Sequence, residues 1–229
     1  MLRPMLKRLR TIARGPERPL KVSHAAPAPG QPNATWAPKG YSDPELRLTI
    51  VRKLLGTLKP GRLLDLGCGH GKFSLLAQEL GWDVTAVDAR TVRMPGTAGI
   101  QWVHSDVREF VIEPGRYDLI LVLGLLYHLE LGDQLDLLRK CSGTPTVVDT
   151  HAALAATHQE GGYDGRSFRE IAADDAQALE ATPTASWGNP TSFWATEDSL
   201  VRMITDCGFS FVYRLTPGHE RDRTFYFCL

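Results

Sequence analysis

The sequence predicts an α/β fold, a mostly parallel sheet with helices on both faces. Three observations carry that reading. Short apolar runs of strand length recur at Leu63 to Leu66, Val84 to Val87, Leu119 to Leu123 and Thr146 to Val148. Stretches with helical apolar spacing alternate with them. A glycine-rich turn, Gly67-Cys68-Gly69-His70-Gly71, joins the first run to the helix after it. Strands apolar along their whole length suit a sheet covered on both faces, and strand–helix alternation implies parallel pairing.

The elements follow in order. Asp43-Pro44 reads as an N-cap followed by proline at the first helical position. Leu46, Ile50, Leu54 and Leu58 then give an amphipathic helix, stopped by Pro60-Gly61. Strand one is Leu63 to Leu66, and Phe73, Leu75, Leu76 and Leu80 carry its helix. Strand two ends at Asp88, strand three near Val103, and strand four runs through Leu119 to Leu123. Asp133 to Lys140 is helical, and Thr146 to Asp149 is the fifth strand. Thr196 caps a helix reaching Cys207, with Gly208 as its C′ residue. Phe209 to Leu215 and Thr224 to Cys228 read as a final strand pair.

The glycine turn carries the most chemistry. Without Cβ atoms, backbone comes directly against a ligand, and the helix start adds free N–H groups and a positive dipole end. The spacing is Asp65-x-Gly67-x-Gly69-x-Gly71, whereas a dinucleotide fingerprint is G-x-G-x-x-G. It resembles motif I of the class I S-adenosylmethionine-dependent methyltransferases. The resemblance implies a Rossmann-like sheet of seven strands whose last runs antiparallel. It also implies that Asp65 approaches the amino acid end of the cofactor, and that the turn, Cys68 included, carries the methionine portion and ribose.

Later motifs follow in register. Asp88 lies 23 residues after Asp65, at the tip of strand two, where the family's acid accepts both ribose hydroxyls, with Ala89 beside it. Ser105-Asp106-Val107 follows strand three. By resemblance Asp106 accepts the adenine amino group while a neighbouring N–H meets the ring; as a helix N-cap it would need no cofactor. Leu123 ends strand four, and the Leu-Leu-Tyr-His stretch after it matches motif IV in form. The likeness is good over residues 40–150, and holds for the C-terminal portion by layout only.

At 229 residues and 43% hydrophobic, the chain suits one α/β domain with a sizeable core. Residues 39–229 are assigned to that domain. Residues 1–38 are a basic N-terminal helix followed by an Ala/Pro-rich linker. Lys+Arg and Asp+Glu are both 26, but residues 1–22 hold seven basic residues and one acid, leaving the rest at net −6. An acidic body argues against a broad phosphate-binding surface, hence against a nucleic acid substrate. The basic helix is a candidate contact for an anionic membrane or a partner protein. The four cysteines have no metal-type spacing, which fits a reducing cytoplasm. No run reaches the ~18 apolar residues of a membrane span.

Residues 151–195 are too long for an ordinary connection, and they start at a carboxyl end of the sheet, where ligands bind. They read as a substrate lid or, failing that, an oligomerisation arm. Asp174 to Glu180 reads as a short helix within it. Candidate acceptor contacts are Tyr127 and the lid's His158, Tyr163, Arg166, Trp187 and Trp194.

Methyl transfer to a hydroxyl benefits from a base. His128 follows strand four and His151 follows strand five; His151 is preferred because Asp149 can orient it. Gly124-Leu125 stands where metal-dependent catechol-type relatives place an Asp, so no metal is expected. The leading expectation is O-methylation of a small hydroxylated metabolite, a sugar or secondary metabolite. The Leu-Leu-Tyr-His stretch also resembles wobble-uridine-modifying RNA enzymes. A non-catalytic cofactor-binding partner subunit is a third reading.

Overall fold

The computed structural model describes residues 44–169, 182, 185–215 and 223–229. The expected N-terminal helix and linker, and the expected helix at 174–180, lie outside these residues. Helix α1 (Pro44–Leu55) precedes β1 (Arg62–Leu66), α2 (Lys72–Glu79), β2 (Asp83–Asp88), β3 (Ile100–His104) and β4 (Leu119–Leu123). Then come α3 (Leu131–Cys141), β5 (Thr146–His151), the short strands β6 (His158–Glu160), β7 (Tyr163–Phe168) and β8 (Ser192–Ala195), α4 (Glu197–Asp206), β9 (Val212–Leu215) and β10 (Arg223–Cys228).

The main sheet has seven strands in the order β3-β2-β1-β4-β5-β10-β9. Neighbours from β3 through β5 pair in parallel. β10 is antiparallel to both β5 and β9, so the last strand runs against the rest. Strand order reverses between β1 and β4, which opens a crevice at their carboxyl ends.

The period of two along each strand divides the core into two faces. Leu63, Leu119, Leu121 and Leu123 pack with Val51, Leu54 and Leu55 of α1 and Leu76 and Ala77 of α2. Leu64, Leu66, Ile120 and Val122 face the other way, onto Leu137 and Leu138 of α3 and Leu200, Met203 and Ile204 of α4. Both sets are buried, which explains why β4 reads as an unbroken apolar run and β1 as one broken only by Asp65 between Leu63 and Leu66.

Three expectations are corrected. The helix expected at 133–140 runs from Leu131 to Cys141. The penultimate strand starts at Val212, not Phe209, because the Phe209 N–H still bonds to Ile204 O at the helix end. The lid segment holds a second, antiparallel sheet, β6-β7-β8. Its strands are three to six residues long and β6 is exposed throughout, so no alternating pattern announces them.

Candidate functional site

The turn after β1 is built as the glycines require. Gly67, Gly69 and Gly71 all have left-handed φ, at 68°, 53° and 67°. Gly71 caps α2, and a Cβ there would lie 2.5 Å from the Trp102 ring. A Cβ on Gly69 would meet nothing within 4 Å, so its open side faces vacant space. Asp88 holds the turn from β2. Its Oδ2 accepts the Gly69 N–H at 2.8 Å and its Oδ1 accepts the Arg90 N–H at 2.8 Å. A carboxylate has about four lone-pair sites, so both oxygens can take a further donor.

A cavity of about 260 Å³ opens at the carboxyl ends of β1, β2, β3 and β4. Gly67, Gly69, Asp88, Ala89, Asp106 and Val107 line it on one side. Gly124, Leu125, Tyr127, His128 and Leu129 line it after β4, and Ala185, Ser186 and Trp187 come from the lid.

The other expected cofactor residues stand behind that lining. Asp65 is 1% exposed and its Oδ2 accepts the Ser74 hydroxyl at 2.6 Å. Burial pushes its carboxyl up from 3.8 to about 6; the Ser74 bond opposes this, Asp88 adds to it and Arg47 opposes it. Cys68 and Leu123 are buried. The Ser105 N–H bonds to Asp88 O at 3.1 Å, which links the ends of β2 and β3.

Arginines that sequence reasoning missed complete the site. Arg108 grips Asp106 through Nε and Nη2 and also donates to Trp187 O at 3.1 Å. Burial raises the Asp106 carboxyl, and its bonds to the Arg108 side chain and backbone outweigh that, leaving it below its ordinary range. Arg90 donates to Thr182 O and Ser186 O at 2.6 and 3.3 Å and lies over the Trp187 ring. A signal was present: both acids are followed two residues later by arginine, as Asp88-x-Arg90 and Asp106-x-Arg108.

A charged group sits below the end of β4. Asp149, fully buried, accepts from Arg223 Nε and Nη2 at 2.7 and 2.8 Å and from Arg47 Nε at 2.8 Å. Gly124 makes room for it, since a Cβ there would lie 3.0 Å from Arg47 Nη2 and 3.2 Å from Arg223 Nη2. No local pattern identifies this group, because α1, β5 and β10 meet only in the folded sheet.

The two candidate histidines part company here. His128 ends the 3₁₀ turn Leu126–His128 and lines the cavity. His151 is outside the lining. Its Nε2 is 2.8 Å from Arg223 Nη1, and its ring stacks on Trp194 at 5.2 Å. Guanidinium only donates, so that nitrogen is the acceptor in the pair and its lone pair is engaged.

Of the expected lid contacts, only Trp187 lines the cavity. Trp194 donates to Tyr127 O, Tyr163 donates to Asp206, Arg166 lies over Phe168 and Trp194, and His158 sits on exposed β6 beside Ser167. Among the described residues no three His, Cys, Asp or Glu side chains gather as a metal site, and no helix is long and apolar enough to cross a membrane.

This geometry agrees with known proteins. A family model described as a methyltransferase domain matches residues 42–212. The ubiquinone biosynthesis O-methyltransferase of Bordetella avium (strain 197N) is 29% identical over 121 residues, covering 47% of this chain and 49% of that protein. That of Bordetella pertussis (strain Tohama I) is 28% identical over the same shares. The chain thus spans about half the length of the curated relatives it matches. The crystal structure of the N-terminal domain of EvdMO1 with SAH bound superposes with a TM-score of 0.60 at 22% identity, covering 82% of this chain and 80% of that one. The Burkholderia thailandensis 1,6-didemethyltoxoflavin-N1-methyltransferase, bound to its namesake compound and S-adenosylhomocysteine, gives 0.55 at 18%, covering 80% and 76%. At these identities the structures speak for the fold, while the family match spans most of the chain and takes in the turn, both acid-x-Arg ends and the cavity. The chain belongs to the S-adenosylmethionine-dependent class I methyltransferase family.

Proposed function

We propose that this methyltransferase transfers a methyl group to a hydroxyl of a small acceptor, without a metal, and that His128 takes the proton. The single observation behind it is the place of His128 on the cavity that also holds Gly69, Asp88 and Asp106. The Bordetella relatives are named as O-methyltransferases. A structure of the EvdMO1 domain was determined in the presence of SAH and D-fucose.

The residues fit the cofactor. Gly67 and Gly69 offer bare backbone to it, Asp88 has lone pairs left for ribose hydroxyls, and Asp106 is the residue that the family resemblance assigns to the adenine amino group. S-adenosylmethionine supplies an activated methyl on sulfur. The chain does the rest. Leu125 and Tyr127 shape the acceptor's side of the cavity, and Ser186 and Trp187 close over it. Neutral His128 accepts the hydroxyl proton as oxygen becomes nucleophilic, with the acceptor held at ~3 Å in near-attack geometry. His151 was the preferred base on sequence grounds. We assign it instead to the Arg223–Trp194 packing, because the lone pair of its Nε2 faces a guanidinium.

The test is a turnover screen that detects S-adenosylhomocysteine, run on sugars, phenols, amines and unmodified tRNA, with calorimetric binding of S-adenosylhomocysteine alongside. Turnover on a hydroxyl acceptor that His128→Gln abolishes, with product binding kept, is the expected result. Turnover on tRNA alone would favour the RNA-modifying reading. Tight binding with no turnover anywhere would favour a partner-subunit role.

A further inference from the structure

The turn that carries His128 lies outside the main sheet. β4 ends at Leu123, Gly124 takes φ 78°, and residues 125–129 leave the sheet. Buried backbone carbonyls must still find donors. Two find them inside the turn: Leu125 O accepts from the His128 N–H, and Leu126 O from the Leu129 N–H, each at 2.9 Å. The next three carbonyls in sequence are all taken by one lid segment. Trp194 Nε1 donates to Tyr127 O at 3.0 Å, Asn189 Nδ2 to His128 O at 2.9 Å, and the Phe193 N–H to Leu129 O at 3.0 Å.

Asn189 is buried where it makes its bond to His128 O. It is 3% exposed, and its Nδ2 also donates to Thr191 O at 2.7 Å. Both amide hydrogens are therefore used, and a flipped amide would press its oxygen against two carbonyl oxygens. Trp194 adds ring contact with Tyr127, centroids 5.7 Å apart at 72°. The same segment continues into the cavity wall, since Ser186 and Trp187 precede Asn189 by only three and two residues.

We propose that the strap from Asn189 to Trp194 sets where His128 stands at the cavity, with Asn189 and Trp194 acting as positioning residues. The proposal rests on the reading of His128 as the proton acceptor. It adds that lid and base form one mechanical unit. An acceptor pressing on Ser186 or Trp187 acts on the segment that holds the His128 carbonyl.

The test uses the full chain with two variants. Asn189→Asp keeps the shape, removes both donors and sets carboxylate oxygens against two carbonyls. Trp194→Phe keeps an aromatic ring beside Tyr127 and removes the Nε1–H donor along with one ring of the indole, a different change that guards against a misfolded first variant. Long-range proton–nitrogen spectra of the imidazoles are recorded with and without S-adenosylhomocysteine, the His128 signals being assigned by their loss in His128→Gln. Both variants should shift the His128 ring signals and their pH titration, leave those of His104 in place, and bind S-adenosylhomocysteine within about threefold of the parent. His128 signals that superimpose on the parent's in both variants would overturn the proposal. So would loss of S-adenosylhomocysteine binding in both folded variants, since the strap would then be shaping the cofactor site. Failure of the parent to bind S-adenosylhomocysteine would strike the functional reading alone, because the ligand-free spectra still decide the strap.

Discussion

Asp65→Asn should make the protein more stable at neutral pH, although it removes an acid from the cofactor turn. Asp65 is buried beneath the turn, with one hydrogen bond from Ser74 and with Asp88 on the same side of the balance as burial. Its carboxyl is raised from 3.8 to about 6. The native state therefore holds a proton between those values that the unfolded chain has released. By linkage, this contribution to stability is complete below pH ~4 and is lost as pH rises to ~6. About two units at 1.36 kcal/mol each gives roughly 3 kcal/mol, and full burial leaves no solvent screening to discount.

Asparagine carries no charge and its oxygen still accepts from Ser74, so the variant should not show this loss. Any fixed cost of housing the amide nitrogen is independent of pH and subtracts out. The assay is urea unfolding of both proteins at intervals from pH 4 to 7.5. The difference, variant minus parent, should climb by about 3 kcal/mol across pH 4–6 and then stay level. A flat difference would refute the reasoning, as would one that falls with pH, because either outcome means Asp65 is ionised at no cost in the native state.

Three further outcomes follow from the site. Gly69→Ala should cost only about 1–2 kcal/mol of stability for its left-handed φ, since its Cβ meets nothing within 4 Å, yet should block S-adenosylhomocysteine in calorimetry; Gly71→Ala, driven into Trp102, should show the larger unfolding penalty. Asp88→Asn should weaken S-adenosylhomocysteine at least about tenfold, because hydrogen bonds to a charged group are worth ~1.5–3 kcal/mol each; unchanged affinity in a folded variant would remove Asp88 from the ribose. Thr196→Ala should lower stability by ~0.5–1 kcal/mol in thermal unfolding, the low side of N-cap values, since Thr196 accepts the Ser199 N–H at a long 3.4 Å.

The sequence disclosed what is local and repeated. β1 and β4 were legible because both faces are covered, so every residue from Leu63 to Leu66 except Asp65 is apolar. The α4 helix was legible from its caps, Thr196 and Gly208, which stand where they were expected. Gly67, Gly69, Asp88 and Asp106, singled out by the glycine spacing and the acids at strand ends, do line one cavity in the fold. The rest was hidden for physical reasons. β6 and β7 lie partly in solvent and are too short to alternate. Arg47, Asp149 and Arg223 are separated by more than 70 residues at each step; the pairing of β10 with β5 brings Arg223 to Asp149, and α1 packed on the sheet brings Arg47. His151 was ranked above His128 because Asp149 was taken as its orienter; in the fold Asp149 serves two arginines, and one of them turns to His151.

The cavity has two sides. Glycines and strand-end acids after β1, β2 and β3 make one of them. Residues from the stretches 125–129 and 185–187 make the other. Arg90 and Arg108 each stand two residues beyond a cofactor acid, and each donates to lid carbonyls, at Ser186 and Trp187. From the opposite side the strap takes the carbonyls of Tyr127, His128 and Leu129. The 185–194 segment is therefore tied at one end to the loops after β2 and β3 and at the other to the turn that holds His128. The bonds from Arg90 and Arg108 end on the backbone carbonyls of Ser186 and Trp187, so those two side chains can change without untying them. Ser186 and Trp187, together with Leu125 and Tyr127, line the cavity between these two ties.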